Sequence, residues 1–164
     1  MIEVEGLVHV YPDGTRAVEG LNLTVAPNDR LAIVGQNGSG KSTLVRHFNG
    51  LLRPTQGRVL VDGSDSAGRR VADLSAAGRT VIAVSHDMRF VAESFERVVV
   101  MRAGKIVLDG TPAEAFAEAA WPTLASTYLE PPLAARVGAR LGLGATPTEA
   151  SLVGALVERA AAGR

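Results

Sequence analysis

One stretch constrains this chain more than any other: Gly35-Gln36-Asn37-Gly38-Ser39-Gly40-Lys41-Ser42-Thr43. It meets the phosphate-cradling pattern G-x-x-x-x-G-K-[ST] at every fixed position. The apolar run Leu31-Ala32-Ile33-Val34 precedes it and Leu44-Val45-Arg46-His47-Phe48 follows, so the order reads strand, glycine-rich loop, helix. The plainer alternative is a strand–helix turn with a chance Lys-Ser, but motif and context agree. Glycines let backbone N–H groups crowd around phosphate oxygens, and the helix start aims its positive dipole end at the same anion. Lys41 is expected to reach the β- and γ-phosphates, and Ser42 to offer its hydroxyl to Mg²⁺.

The 164 residues suffice for one domain with a core. Basic and acidic residues balance at 17 each, so no bulk charge steers the chain to nucleic acid or anionic lipid. The absence of cysteine excludes disulfides, thiolate metal sites and a cysteine nucleophile. No apolar run approaches a membrane span, and Met1-Ile2-Glu3-Val4-Glu5 does not read as a signal peptide, so any membrane role is expected to run through a partner.

Residues 2–10 and 21–25 read as strands around a Tyr11-Pro12-Asp13-Gly14 turn. Residues 31–34 are apolar throughout, as in a strand covered on both faces. Asn49-Gly50 ends the first helix, and residues 58–63 form a strand and turn. Residues 64–78 are the least periodic part, with Val71 and Leu74 as the sizeable apolar anchors. Residues 80–84 form another apolar strand, followed by Ser85-His86-Asp87 and a short helix. Residues 98–101 and 105–108 predict a hairpin turned at Ala103-Gly104. Thr111-Pro112-Ala113-Glu114 is a capping box expected to start a helix through Ala120. Pro131-Pro132 opens a helix over 133–141. Thr146-Pro147-Thr148-Glu149 repeats the box before a last helix whose apolar face is Leu152, Val153, Leu156 and Val157.

Together these features resemble the ATP-binding subunit of ATP-binding cassette (ABC) transporters. Residues 35–43 read as its Walker A motif, and residues 51–63 as its usual continuation. Val81-Ile82-Ala83-Val84-Ser85-His86-Asp87 is similar to its switch strand and His-loop. The tail, with Leu129-Glu130-Pro131-Pro132 and residues 146–156, is similar to the energy-coupling-factor (cobalt- and vitamin-type) subgroup. The resemblance implies an α/β fold: a P-loop NTPase core with a mixed sheet, N-terminal antiparallel strands and C-terminal helices. It implies a shortened ATP-binding domain over 1–120 and a helical tail over 121–164. It implies ATP and Mg²⁺ as ligands, held by Tyr11, Gly35, Gln36, Asn37, Gly38, Ser39, Gly40, Lys41, Ser42 and Thr43, with Ser42 on the metal and His86 in the catalytic role. Implied partners are a transmembrane transporter subunit and another ATP-binding subunit, as homo- or heterodimer, at the cytoplasmic face of the membrane.

The chain departs from the family in one place. His86 follows Lys41 too closely in the chain, because a helical subdomain and a further strand should lie between them. The coupling glutamine, the LSGGQ-type signature and the Walker B Asp-Glu are all missing. Asp62 and Asp109 end apolar runs, but glycine follows each. Residues 71–79 look like a splice between distant parts of the family pattern. Without the Walker B strand, residues 81–84 are expected to form an apolar sheet edge. Hydrolysis needs a carboxylate to position water, so poor turnover is expected. A nucleotide-binding remnant that associates with a full-length sister subunit is one competing reading; a small phosphotransferase is another.

His86 is either a capping residue or a phosphate contact, and its flanking Ser85 and Asp87 favour contact. Tyr11 either closes a turn or, as the resemblance implies, stacks on adenine. His9 and His47 lack such context and are expected to be partly exposed structural residues. Trp121 is expected to be a packing anchor.

Overall fold

The computed structural model describes residues 1–65 and 80–162. In chain order the strands are β1 (Ile2–Val10), β2 (Arg16–Val25), β3 (Arg30–Val34), β4 (Gln56–Val61), β5 (Ser64–Asp65), β6 (Val81–Val84), β7 (Arg97–Arg102) and β8 (Lys105–Gly110). The helices are α1 (Lys41–Phe48), α2 (Met88–Ser94), α3 (Pro112–Ala115), α4 (Trp121–Ala125), α5 (Leu133–Arg140) and α6 (Glu149–Ala162). The antiparallel sheet has the order β2-β1-β4-β5. The mixed sheet has the order β6-β3-β7-β8, with β3 parallel to β6 and β7, and β8 antiparallel to β7.

Alternation along the central strands explains their unbroken apolar runs. Leu31 and Ile33 of β3, with Val99 and Met101 of β7, face the antiparallel sheet and α1. Ala32, Val34, Val98 and Val100 face the opposite way, toward α2, Phe116 and Leu124. Both faces of β3 and β7 are therefore covered, as central parallel strands require. Ala135 of α5 joins this second core, and Trp121 packs beside it, donating its Nε1–H to Phe116 O at 3.0 Å. Trp121 is thus a packing anchor, as expected.

Ala103 and Gly104, at φ 47° and 77°, turn the β7–β8 hairpin in the mirror-image turn that matches strand twist. The capping box at Thr111 forms with both of its hydrogen bonds. The helix it starts does not run through Ala120. It stops after Ala115; Ala117 is extended at φ −60° and ψ 151°, and a 3-10 turn precedes α4. The second capping box does not form either. Thr146 is buried at 2% exposure, and its hydroxyl donates to Ala134 O at 2.9 Å. Thr148 caps α6 instead, accepting from Ser151 N at 3.1 Å. Burial against α5 draws Thr146 away from the helix it was expected to cap. The apolar face of α6 is largely in water, with Val153, Leu156 and Val157 all exposed.

Among the described residues β6 has β3 as its one strand neighbour. Val81 and Val84 are each 42% exposed, so the expected apolar edge is present. The splice at 71–79, with Val71 and Leu74, lies outside the described residues.

Candidate functional site

The loop between β3 and α1 takes the shape its glycines permit. Gly35 at φ 143° and Gly40 at φ 99° lie where side-chain-bearing residues are strained. Space forbids a side chain as well. A Cβ on Gly35 would overlap the Met101 carbonyl, and one on Gly40 would overlap that of Ala17. Gly104 N donates to Ser39 O at 3.0 Å, and Glu19 N donates to Gly104 O at 3.1 Å. The loop is thus clamped between β2 and the β7–β8 turn.

Lys41 begins α1 and folds back over the loop. Its Nζ donates to Gly35 O at 2.7 Å, Gln36 O at 2.8 Å and Ser39 Oγ at 3.3 Å. Burial pushes its pKa below the usual lysine value. The partners of this desolvated cation among the described residues are neutral dipoles, which makes the loop mouth fit an anion. The adjoining cavity, of about 340 Å³, is lined by Tyr11, Arg16, Ser42, Thr43 and His86 together with the loop. Among the described residues no carboxylate lines it, so it fits a polyphosphate. For a divalent metal the described residues supply there the Ser42 hydroxyl and no acidic ligand, and among them no cluster of three or more His, Cys, Asp or Glu could hold a metal.

The parallel pairing of β6 with β3 carries His86 to the loop. His86 is exposed and also lines a wider cavity with Gly35, Gln36, Asn37 and Tyr128. Its neighbours make the turn: Asp87 N donates to Ser85 Oγ at 3.1 Å, and Asp87 caps α2 by accepting from Phe90 N at 3.0 Å. The Tyr11 hydroxyl lies 3.1 Å from Thr43 Oγ1. Every residue expected at the site therefore lines one of two adjoining cavities. Sequence reasoning missed Arg16, Ala17 and Gly104. No local signal marks them, because they reach the loop from distant strands.

The two Walker B look-alikes are nowhere near. Asp109 binds Arg97 through both carboxylate oxygens at 2.7 Å, and Arg97 pairs in register with Leu31, at the end of β3 away from the loop. Asp62 sits at φ 50° beyond β4, its N–H donating to Met1 O at 2.8 Å.

His9 and His47 are not partly exposed. They are 7% and 0% exposed. The reason is tertiary: the His9 ring on β1 packs against the His47 ring on α1, and His9 Nδ1 meets Arg53 O at 3.1 Å. Burial chiefly pushes the His47 pKa below the ordinary imidazole value; its bond to the Thr43 carbonyl and the Arg53 carbonyl near it work the other way, and His9 beside it adds to the depression. The unfolded chain takes up a proton below about pH 6.5, while the folded chain resists it, so stability is full above that value and falls as pH drops. Urea unfolding between pH 8 and pH 5 should show this decline, at no more than about 1.4 kcal/mol per pH unit, and His47→Gln should flatten it.

A β3–loop–α1 unit with a lysine in the loop, flanked by parallel β6 and β7, defines a P-loop nucleotide-binding core. The model of the ABC transporter family matches residues 18–133, and the chain belongs to that family. The energy-coupling factor transporter ATP-binding protein EcfA of Methanothermobacter thermautotrophicus is 51% identical over 63 residues, which is 38% of this chain and 20% of that protein. The corresponding EcfA2 of Acetivibrio thermocellus is 46% identical over 77 residues, 44% of this chain and 27% of the relative. The aligned stretches thus span about a quarter of those relatives' length. Among solved structures, cbiO1 of Clostridium perfringens, part of the ABC transporter complex cbiONQ, superposes with a TM-score of 0.61 at 20% identity, covering 76% of this chain and 94% of that one. A nucleotide-free ATP-binding cassette from an ABC transporter gives 0.66 at 15% identity, covering 79% and 99%. These two likenesses establish the fold. No helix among the described residues is long and apolar enough to cross a membrane.

Proposed function

We propose that this chain binds Mg-ATP as the nucleotide-binding part of an energy-coupling-factor-type importer for a metal ion or vitamin. The observation that carries this is the buried Lys41 ammonium, held by neutral loop oxygens at the mouth of a cavity that no described carboxylate lines and faced by His86. In this reading residues 35–43 cradle the phosphates, His86 touches the γ-phosphate and Tyr11 meets the base. Mg²⁺, when bound, would supply positive charge that neutralises the phosphates, and Ser42 would hold it through its hydroxyl. Residues 1–120 act as the shortened ATP-binding domain and 121–164 as its helical tail. The chain works at the cytoplasmic face of the membrane, beside a transmembrane subunit and paired with another ATP-binding subunit, the same or different. It takes no nucleic acid.

Hydrolysis is impaired in this reading, because the sequence holds no Asp-Glu pair and no described carboxylate lines the cavity. That same lack favours a second reading: a non-enzymatic remnant that binds nucleotide and a full-length sister subunit. Calorimetric titration tests the shared part. Mg-ATP and Mg-ADP should bind, with AMP at least about tenfold weaker, since AMP lacks the phosphates Lys41 would hold. Equal affinity for AMP would rule out a phosphate-loop site.

A further inference from the structure

Behind the nucleotide cavity stands a stack of buried rings that the loop and His86 do not explain. The rings of His9 on β1 and His47 in the last turn of α1 meet edge to face, centroids 4.8 Å apart and planes at 76°. The His9 ring in turn meets Tyr11 at 4.6 Å and 81°. Tyr11 ends the series with its hydroxyl 3.1 Å from Thr43 Oγ1. Carbonyl oxygens can only accept, so the bonds to Arg53 O at 3.1 Å and Thr43 O at 2.7 Å place a proton on Nδ1 of His9 and of His47. His47 Nε2 is then a bare lone pair, fully buried and without a partner among the described residues. An unsatisfied buried acceptor is costly, and an apolar residue of similar size would not carry that cost. The arrangement is therefore poorly explained as core filling. It makes sense as a wall that fixes Tyr11.

We propose that His9, backed by His47, is a positioning residue for the base end of a bound nucleotide. The two rings hold Tyr11 against Thr43, so that its ring is presented to a purine while the loop binds the phosphates. This rests on the nucleotide-binding reading above. It divides the site in two: the phosphate half depends on Lys41, and the base half on the ring stack.

The test compares two probes on the whole chain, Mg-ATP and inorganic tripolyphosphate with Mg²⁺. His9→Ala should weaken Mg-ATP by about three- to tenfold, the range expected from one aromatic contact, and leave tripolyphosphate unchanged. His9→Phe keeps an edge-on ring and should restore Mg-ATP affinity. The double variant His9→Ala/Tyr11→Ala should bind Mg-ATP no more weakly than Tyr11→Ala alone, because both changes remove one arrangement. Tripolyphosphate binding also reports that each variant is folded. Unchanged Mg-ATP affinity in His9→Ala, or an equal loss for both probes, overturns the positioning role. A parent chain that binds neither probe overturns the nucleotide-binding reading, and this inference with it.

Discussion

Replacing Lys41 by alanine should lower Mg-ATP affinity by roughly 30- to 1,000-fold while the chain stays folded. The size follows from the hydrogen bonds that the ammonium would make to phosphate. A hydrogen bond to a charged group is worth about 1.5–3 kcal/mol, and the ammonium would serve two phosphates. The gain is an exchange, because in this structure the same protons already serve Gly35 O, Gln36 O and Ser39 Oγ. Only the difference between phosphate and carbonyl acceptors appears in the affinity, which keeps the loss below the full sum. Stability should change by about 1 kcal/mol, since alanine suits a helix start and the freed loop carbonyls can turn to water. Calorimetry read against circular dichroism would check both. An alanine variant that binds Mg-ATP within about threefold of the parent would place the nucleotide elsewhere.

The second large effect concerns turnover. The isolated chain should hydrolyse ATP about 10²- to 10⁴-fold more slowly than a family member with its Asp-Glu pair intact, the typical weight of a positioned base. The geometry makes this more than a missing motif. Asp109 is committed to Arg97 at the far end of the sheet, and Asp62 lies beyond β4, so neither acid can swing to the cavity. Phosphate release under saturating Mg-ATP measures it, with Lys41→Ala as the control. Turnover at the rate of an intact subunit, abolished in the control, would mean that a carboxylate outside the described residues completes the site.

The parts of the fold that were legible in the residues are those decided within a few positions. The β7–β8 turn follows from Ala103-Gly104, and the start of α3 from Thr111 and Glu114, because backbone sterics and capping bonds act locally. The same logic failed where a distant element competed. Thr146 gave up its capping role to a buried bond with Ala134. His9 and His47 ran against expectation for a similar reason. A histidine carries no sign in its own neighbourhood that another strand will bury it.

The chain's linear order by itself determined the phosphate loop. Gly35, Gly40 and Lys41 stand within one short stretch, and the conformations they allow depend on little else. It also determined that β3 would be covered on both faces, and that no acid follows the aspartate of either Walker B look-alike. Tertiary structure alone decided what surrounds the loop. Parallel pairing brought His86 beside it, β2 supplied Arg16 and the Ala17 carbonyl, and β1 set His9 against His47. These contacts join residues far apart in the chain. They are selected by the joint packing of two sheets on α1, which no single stretch encodes.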